Sequence, residues 1–128
     1  MLVKNNPHIH IKARSEYIMS QSSPEDDRYF FSYTIEISNL SEQTVKLLSR
    51  RWVVTDAHGM EQVIEGSGVV GEQPVIKPQG AFRYTSCALL KTPVGSMEGS
   101  YRFMVLETTE TFVAPIPAFG LADPVVLH

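Results

Sequence analysis

Tyr29-Phe30-Phe31-Ser32-Tyr33-Thr34-Ile35-Glu36-Ile37-Ser38-Asn39 is the stretch whose pattern decides the fold class. From Phe31 to Ile37 the odd positions are aromatic or aliphatic, and the even ones are Ser, Thr and Glu. A repeat of two is the period of a strand with one buried face. The residue types also favour a pleated, half-buried surface. Asn39 to Gln43 is polar and turns the chain around.

The same pattern extends outward in both directions. Upstream, Ile9, Ile11, Ala13 and Tyr17 alternate with His10, Lys12, Arg14 and Glu16, which reads as an earlier strand. Gln21 to Arg28 is a polar, proline-containing loop between the two. Downstream, a strand is expected from about Thr44 to Thr55, carrying Trp52. A hairpin turn follows at Asp56-Ala57-His58-Gly59, then a short strand over Met60–Ile64. Phe82, Tyr84, Ser86 and Ala88 mark another strand. Thr92–Gly99 reads as a long turn into Tyr101–Glu107, and Phe112, Val113 and Ile116 form a last strand. Pro115 and Pro117 restrict that strand to an edge or an end.

Seven or eight short strands, with no segment of helical period, predict an all-β, immunoglobulin-like two-sheet sandwich. With a single cysteine the fibronectin type III-like version is expected. Residues 1–128 read as one domain, long enough to bury a core without disulfide or metal. The net charge of -3 gives no overall attraction for nucleic acid. One cysteine, no apolar leader and no long apolar run point to a cytoplasmic chain that does not insert into a membrane. Residues 1–6 are expected to be poorly tied down.

Few residue clusters suggest chemistry. Gly66-Ser67-Gly68-Val69-Val70-Gly71 matches G-x-G-x-x-G, but Pro74 and Pro78 follow at once and preclude the helix that a dinucleotide site needs. What survives is an anion-binding nest of backbone N–H groups, opposed by the flanking Glu65 and Glu72. Otherwise the glycines simply let the backbone bend and pack. His8 and His10 lie two apart on one strand face and could begin a divalent-metal site, with His58, His128 or a carboxylate completing it. Glu25-Asp26-Asp27 lacks calcium-loop spacing. Cys87 reads as a small hydrophobe on a strand, and Ser67 and Ser86 have no G-x-S-x-G context. Alternation sends Arg50 and Arg51 to opposite faces and Trp52 to the core. No catalytic residue and no cofactor are expected. The apolar run Phe112–Leu121 either packs down or presents Phe112, Ile116, Pro117 and Phe119 to a partner.

Several segments together resemble the ApaG family. They are Arg50-Arg51-Trp52, Asp56-Ala57-His58-Gly59, Gly66 to Pro74, Lys77 to Ser86, Thr92 to Tyr101 and Phe112 to Phe119. Cys87 departs from the glycine expected after Tyr-Thr-Ser. The resemblance implies a fibronectin type III-like sandwich and a protein-binding role. It also implies a genetic link to cobalt tolerance and magnesium efflux. Two functions follow as expectations. The first is a non-enzymatic interaction module with an unidentified protein partner, a homodimer being among the assemblies that exposed sheet edges allow. The alternative is a sensor of a phosphate-containing anion or a divalent metal.

Overall fold

The computed structural model describes residues 8–127. The N-terminal segment and His128 lie outside it. Eight strands form two antiparallel sheets, as the alternation predicts. They are β1 (Ile9–Tyr17), β2 (Tyr29–Asn39), β3 (Val45–Asp56), β4 (Glu61–Ser67), β5 (Val75–Ile76), β6 (Ala81–Leu90), β7 (Val94–Val105) and β8 (Thr111–Ala122). One sheet has the order β1-β2-β6. The other has the order β4-β3-β7-β8, with β5 extending the β4 side of β3.

β2 behaves as its sequence dictates. Phe31, Tyr33, Ile35, Ile37 and Asn39 are buried, while the residues between them are not. Opposite them, Val45, Leu47, Trp52, Val54, Tyr101 and Phe103 complete the core between the sheets. A register shift between Leu47 and Ser49 resets the phase of β3, so Arg50, Trp52 and Val54 continue the inward face that Val45 and Leu47 began. Trp52 packs edge-on against Tyr33, Tyr101 and Phe119, at centroid distances of 5.4, 6.3 and 5.9 Å. Asn39 is fully buried and paired: Nδ2 donates to the carbonyls of Gln43 (2.8 Å) and Ile76 (3.0 Å), and Oδ1 accepts from Ser41. It therefore incurs no unmet desolvation cost and ties β2 to β5.

Several segments depart from the sequence reading, among them residues 65–67, which extend β4, and Val75–Ile76, which forms β5. Thr92–Gly99 is not a long turn, because β7 already begins at Val94. Its glycines mark close backbone approach instead: a Cβ on Gly95 would lie 2.5 Å from the Thr55 carbonyl oxygen, and one on Gly99 only 2.0 Å from that of Arg51. The last strand runs on to Ala122 and is an edge strand, with Pro115 and Pro117 on its exposed side.

Candidate functional site

The sandwich is closed along one side and open along the other. On the closed side β1 packs against β8, and the Ser15 hydroxyl donates to the Gly120 carbonyl at 2.7 Å. On the open side the sheets end in β6 and β4, each hydrogen-bonded on one flank only. Between these two free edges lies a groove of about 490 Å³. Its apolar lining comes from Val54, Met60, Ile64, Ala88, Leu89 and Leu90, and Asp56, Glu61 and Lys91 bring charge to it. Met60, Ile64 and Leu89 remain 69%, 38% and 45% exposed, so this apolar surface faces solvent. Cys87, expected as a small buried hydrophobe, is exposed here because its strand position faces outward.

Beyond Ile64 the inward positions of the open side turn polar. The Arg50 guanidinium lies over Gly66, where a Cβ would come within 2.8 Å of Nη2. Its Nη1 donates to the carbonyls of Ser67 (3.1 Å) and Gly68 (2.9 Å). Gly68 N–H donates to Leu48 O at 2.8 Å, Val69 N–H to Glu72 O at 2.8 Å, and Glu72 N–H back to Val69 O at 2.9 Å. The glycine segment is thus a tight turn with positive φ at Gly68, Val70 and Gly71, and Val69 is tucked into the core. An anion nest needs outward-facing N–H groups. Those of Gly68 and Val69 are already committed, to the Leu48 carbonyl on β3 and the Glu72 carbonyl in the turn, and what the turn offers Arg50 is carbonyl oxygen.

Geometry favours glycine strongly at position 68. A Cβ there would sit 1.9 Å from the Glu72 carbonyl oxygen, at a φ of +62°. Gly68→Ala should cost about 3 kcal/mol. Gly71→Ala, where φ is +82° but the space is open, should cost only about 1 kcal/mol. Urea unfolding midpoints compare the two, and equal losses would show that the turn is not packed as described.

Tyr33, Tyr84 and Tyr101 converge near Arg50 in the core. The Tyr84 and Tyr101 hydroxyls hydrogen-bond to each other. The Trp52 indole N–H is buried without an acceptor, although the Tyr84 hydroxyl is among its neighbours. Burial pushes all three phenols upward from their ordinary range, Tyr84 and Tyr101 strongly. Burial therefore favours their neutral form.

The ApaG domain model matches residues 19–105, from the first 3-10 turn to the end of β7. The chain belongs to the ApaG family. Protein ApaG of Shewanella piezotolerans is 52% identical over 120 residues, covering 94% of each chain. That of Pectobacterium atrosepticum is 44% identical over 124 residues, covering 97% of this chain and 98% of its own length. An X-ray structure of a structural-genomics target superposes with a TM-score of 0.88 at 50% identity, covering 94% of this chain and 90% of that one. A Bordetella pertussis crystal structure described as an ApaA protein gives 0.89 at 36% identity, covering 92% and 95%. The whole β4–β6 groove falls inside the matched ApaG span, whereas β1 and β8 fall outside it.

In this ApaG-family chain the other sequence candidates do not gather. His8 and His10 are exposed at the start of β1, and no cluster of three or more His, Cys, Asp or Glu forms among the described residues. Phe112 and Ile116 are not available to a partner, because they point between the sheets and are 7% and 3% exposed. Phe119 is half-buried against Trp52 and Tyr33, which leaves Pro117 as the exposed member of that set. Sequence reading missed the groove, since Ile64 and Ala88 become neighbours only once two sheets stack. The available signal was the run of exposed-type residues in β4 beside two free strands.

Proposed function

We propose that this protein is a non-enzymatic interaction module that takes an extended segment of a partner protein along the open side of its sandwich. The observation supporting this is the groove between β4 and β6, where two unpaired strand edges flank exposed Met60, Ile64 and Leu89. An incoming strand would pair its backbone with a free edge and place alternate apolar side chains against Val54, Ala88 and Leu90. β8, the other outer strand of its sheet, is blunted by Pro115 and Pro117. Such a role also accommodates the family's association with cobalt tolerance and magnesium efflux. A chain that docks on a transport protein alters efflux without handling the ion itself.

Selection of short peptides from a display library tests this, with Ile64→Lys and Leu89→Lys as counter-targets. Both positions are solvent-facing, so the fold should survive the substitutions. Selected peptides should alternate apolar and polar residues and lose about tenfold in affinity, or 1.4 kcal/mol, against each variant. Their binding should also slow amide exchange in β4 and β6. Peptides that bind all three proteins equally, or protect β8 instead, would remove the groove from consideration. A concentration-dependent mass abolished by the same substitutions would name a second copy of the chain as the occupant.

A further inference from the structure

We infer that the outer face of the β1-β2-β6 sheet holds a small phosphate-bearing anion between Lys12, Arg14 and Arg83. Strand register puts these residues together: Lys12 lies opposite Glu36, Glu36 opposite Arg83, and Arg14 opposite Thr34, which in turn faces Thr85. Lys12 and Arg83 are therefore two strand spacings apart, about 10 Å, a span that their long side chains can close on a shared ligand. A shallow depression of about 430 Å³ forms there, lined by Lys12, Ala13, Arg14, Thr34, Glu36 and Arg83. The hydroxyls of Thr34 and Thr85 bond to each other at 2.9 Å beside it and add polar groups to its surface.

The cations of this face are not spent inside the protein. The one ion pair among the described residues joins Arg51 to Glu65, on the other sheet. Glu36 stands between Lys12 and Arg83 in the register without closing a salt bridge to either. The depression sets three cations against one carboxylate, and even with Glu16 counted from farther along the same face of β1 the cations stay in excess, in a chain whose net charge is -3. A small dianion satisfies that excess, and guanidinium forks suit phosphate oxygens. A long polyanion would meet the negative charge of the rest of the molecule. The site differs from the Gly66–Gly71 turn, whose Gly68 and Val69 N–H groups are committed internally.

The test is a two-dimensional amide NMR titration of the full chain with inorganic pyrophosphate at low ionic strength. Saturable shifts are expected in β1, β2 and β6 around Lys12, Thr34 and Arg83, with the Ser67–Gly71 amides unmoved. Arg83→Gln and Lys12→Gln should each weaken binding about fivefold, and Glu36→Gln should strengthen it by a similar factor. Added salt should weaken binding in every variant. The inference is overturned by shifts centred on Ser67–Gly71, by the lack of saturation in the millimolar range, or by affinities indifferent to the charge substitutions. A preference that climbs with polyphosphate length would also overturn it, because a diffuse polyanion surface would then be binding.

Discussion

Gly99→Ala should destabilise this protein by about 4 kcal/mol, a size reserved for a few kinds of structural damage. Gly99 lies in β7 between β3 and β8, opposite Trp52 on one side and Ile116 on the other. An added Cβ would fall 2.0 Å from the Arg51 carbonyl oxygen, 3.0 Å from its carbonyl carbon and 3.1 Å from the Trp52 Cα. All three atoms are backbone, so no rotamer change relieves the collision. β3 and β7 are the inner pair of their sheet, and spreading them would disturb the packing of Trp52, which is 1% exposed. A domain with a stability of about 5–15 kcal/mol would lose a large part of it. Gly120→Ala in the neighbouring strand provides the control, since nothing lies within 4 Å of its Cβ position. Chemical denaturation of both variants should show a large drop in midpoint for the first and almost none for the second. Similar midpoints would mean that β7 does not approach β3 as closely as described.

Gly99 also shows where sequence reasoning stops. Alternation is legible wherever a strand buries one face and exposes the other, and β2 is the clearest case. Proline at alternate positions of β8 marked an edge or an end, and β8 is an edge. In Thr92–Gly99, however, proline and glycine carry two meanings that local sequence cannot separate. They bend a chain into a turn, or they clear space where two backbones meet. Only the partner strand, dozens of residues away, decides between them. The Gly66–Gly71 segment shows the converse: Pro74 and Pro78 excluded a phosphate-binding helix from sequence alone, and no helix forms there. What sequence could not supply was Arg50, which bonds the carbonyls of that turn from a strand that precedes it. The groove was illegible for the same reason. Its walls come from β4 and β6, which belong to different sheets, and each wall alone reads as an ordinary solvent-facing edge.

Raising the pH above about 10 should remove stability steeply, because the core must keep its phenols protonated. Tyr33, Tyr84 and Tyr101 all have their pKa raised, with burial the largest cause in each case. The Tyr84 and Tyr101 hydroxyls also hydrogen-bond to each other, so the two phenols titrate as a coupled pair. In the unfolded chain each phenol ionises near pH 10, while in the folded protein burial keeps it neutral to higher pH, Tyr84 and Tyr101 most of all. Above pH 10 the unfolded state therefore binds fewer protons than the native one, and stability falls as pH rises. Their contribution is complete below the unfolded pKa and is lost on the way up to the folded one. Each such tyrosine removes about 1.4 kcal/mol per pH unit, so Tyr84 and Tyr101 together remove nearly 3. Urea midpoints measured from neutral pH to about pH 11 should stay level and then drop. Phenolate absorbance from these residues should appear together with unfolding and not before it. Tyr101→Phe separates this effect from the titration of surface lysines. It should cost about 1–2 kcal/mol at neutral pH, because the Tyr84 hydroxyl loses its partner. The same variant should flatten the alkaline slope by about one proton. A wild-type slope that the substitution leaves unchanged would mean that Tyr101 ionises in place, and that the space between the sheets admits a charge after all.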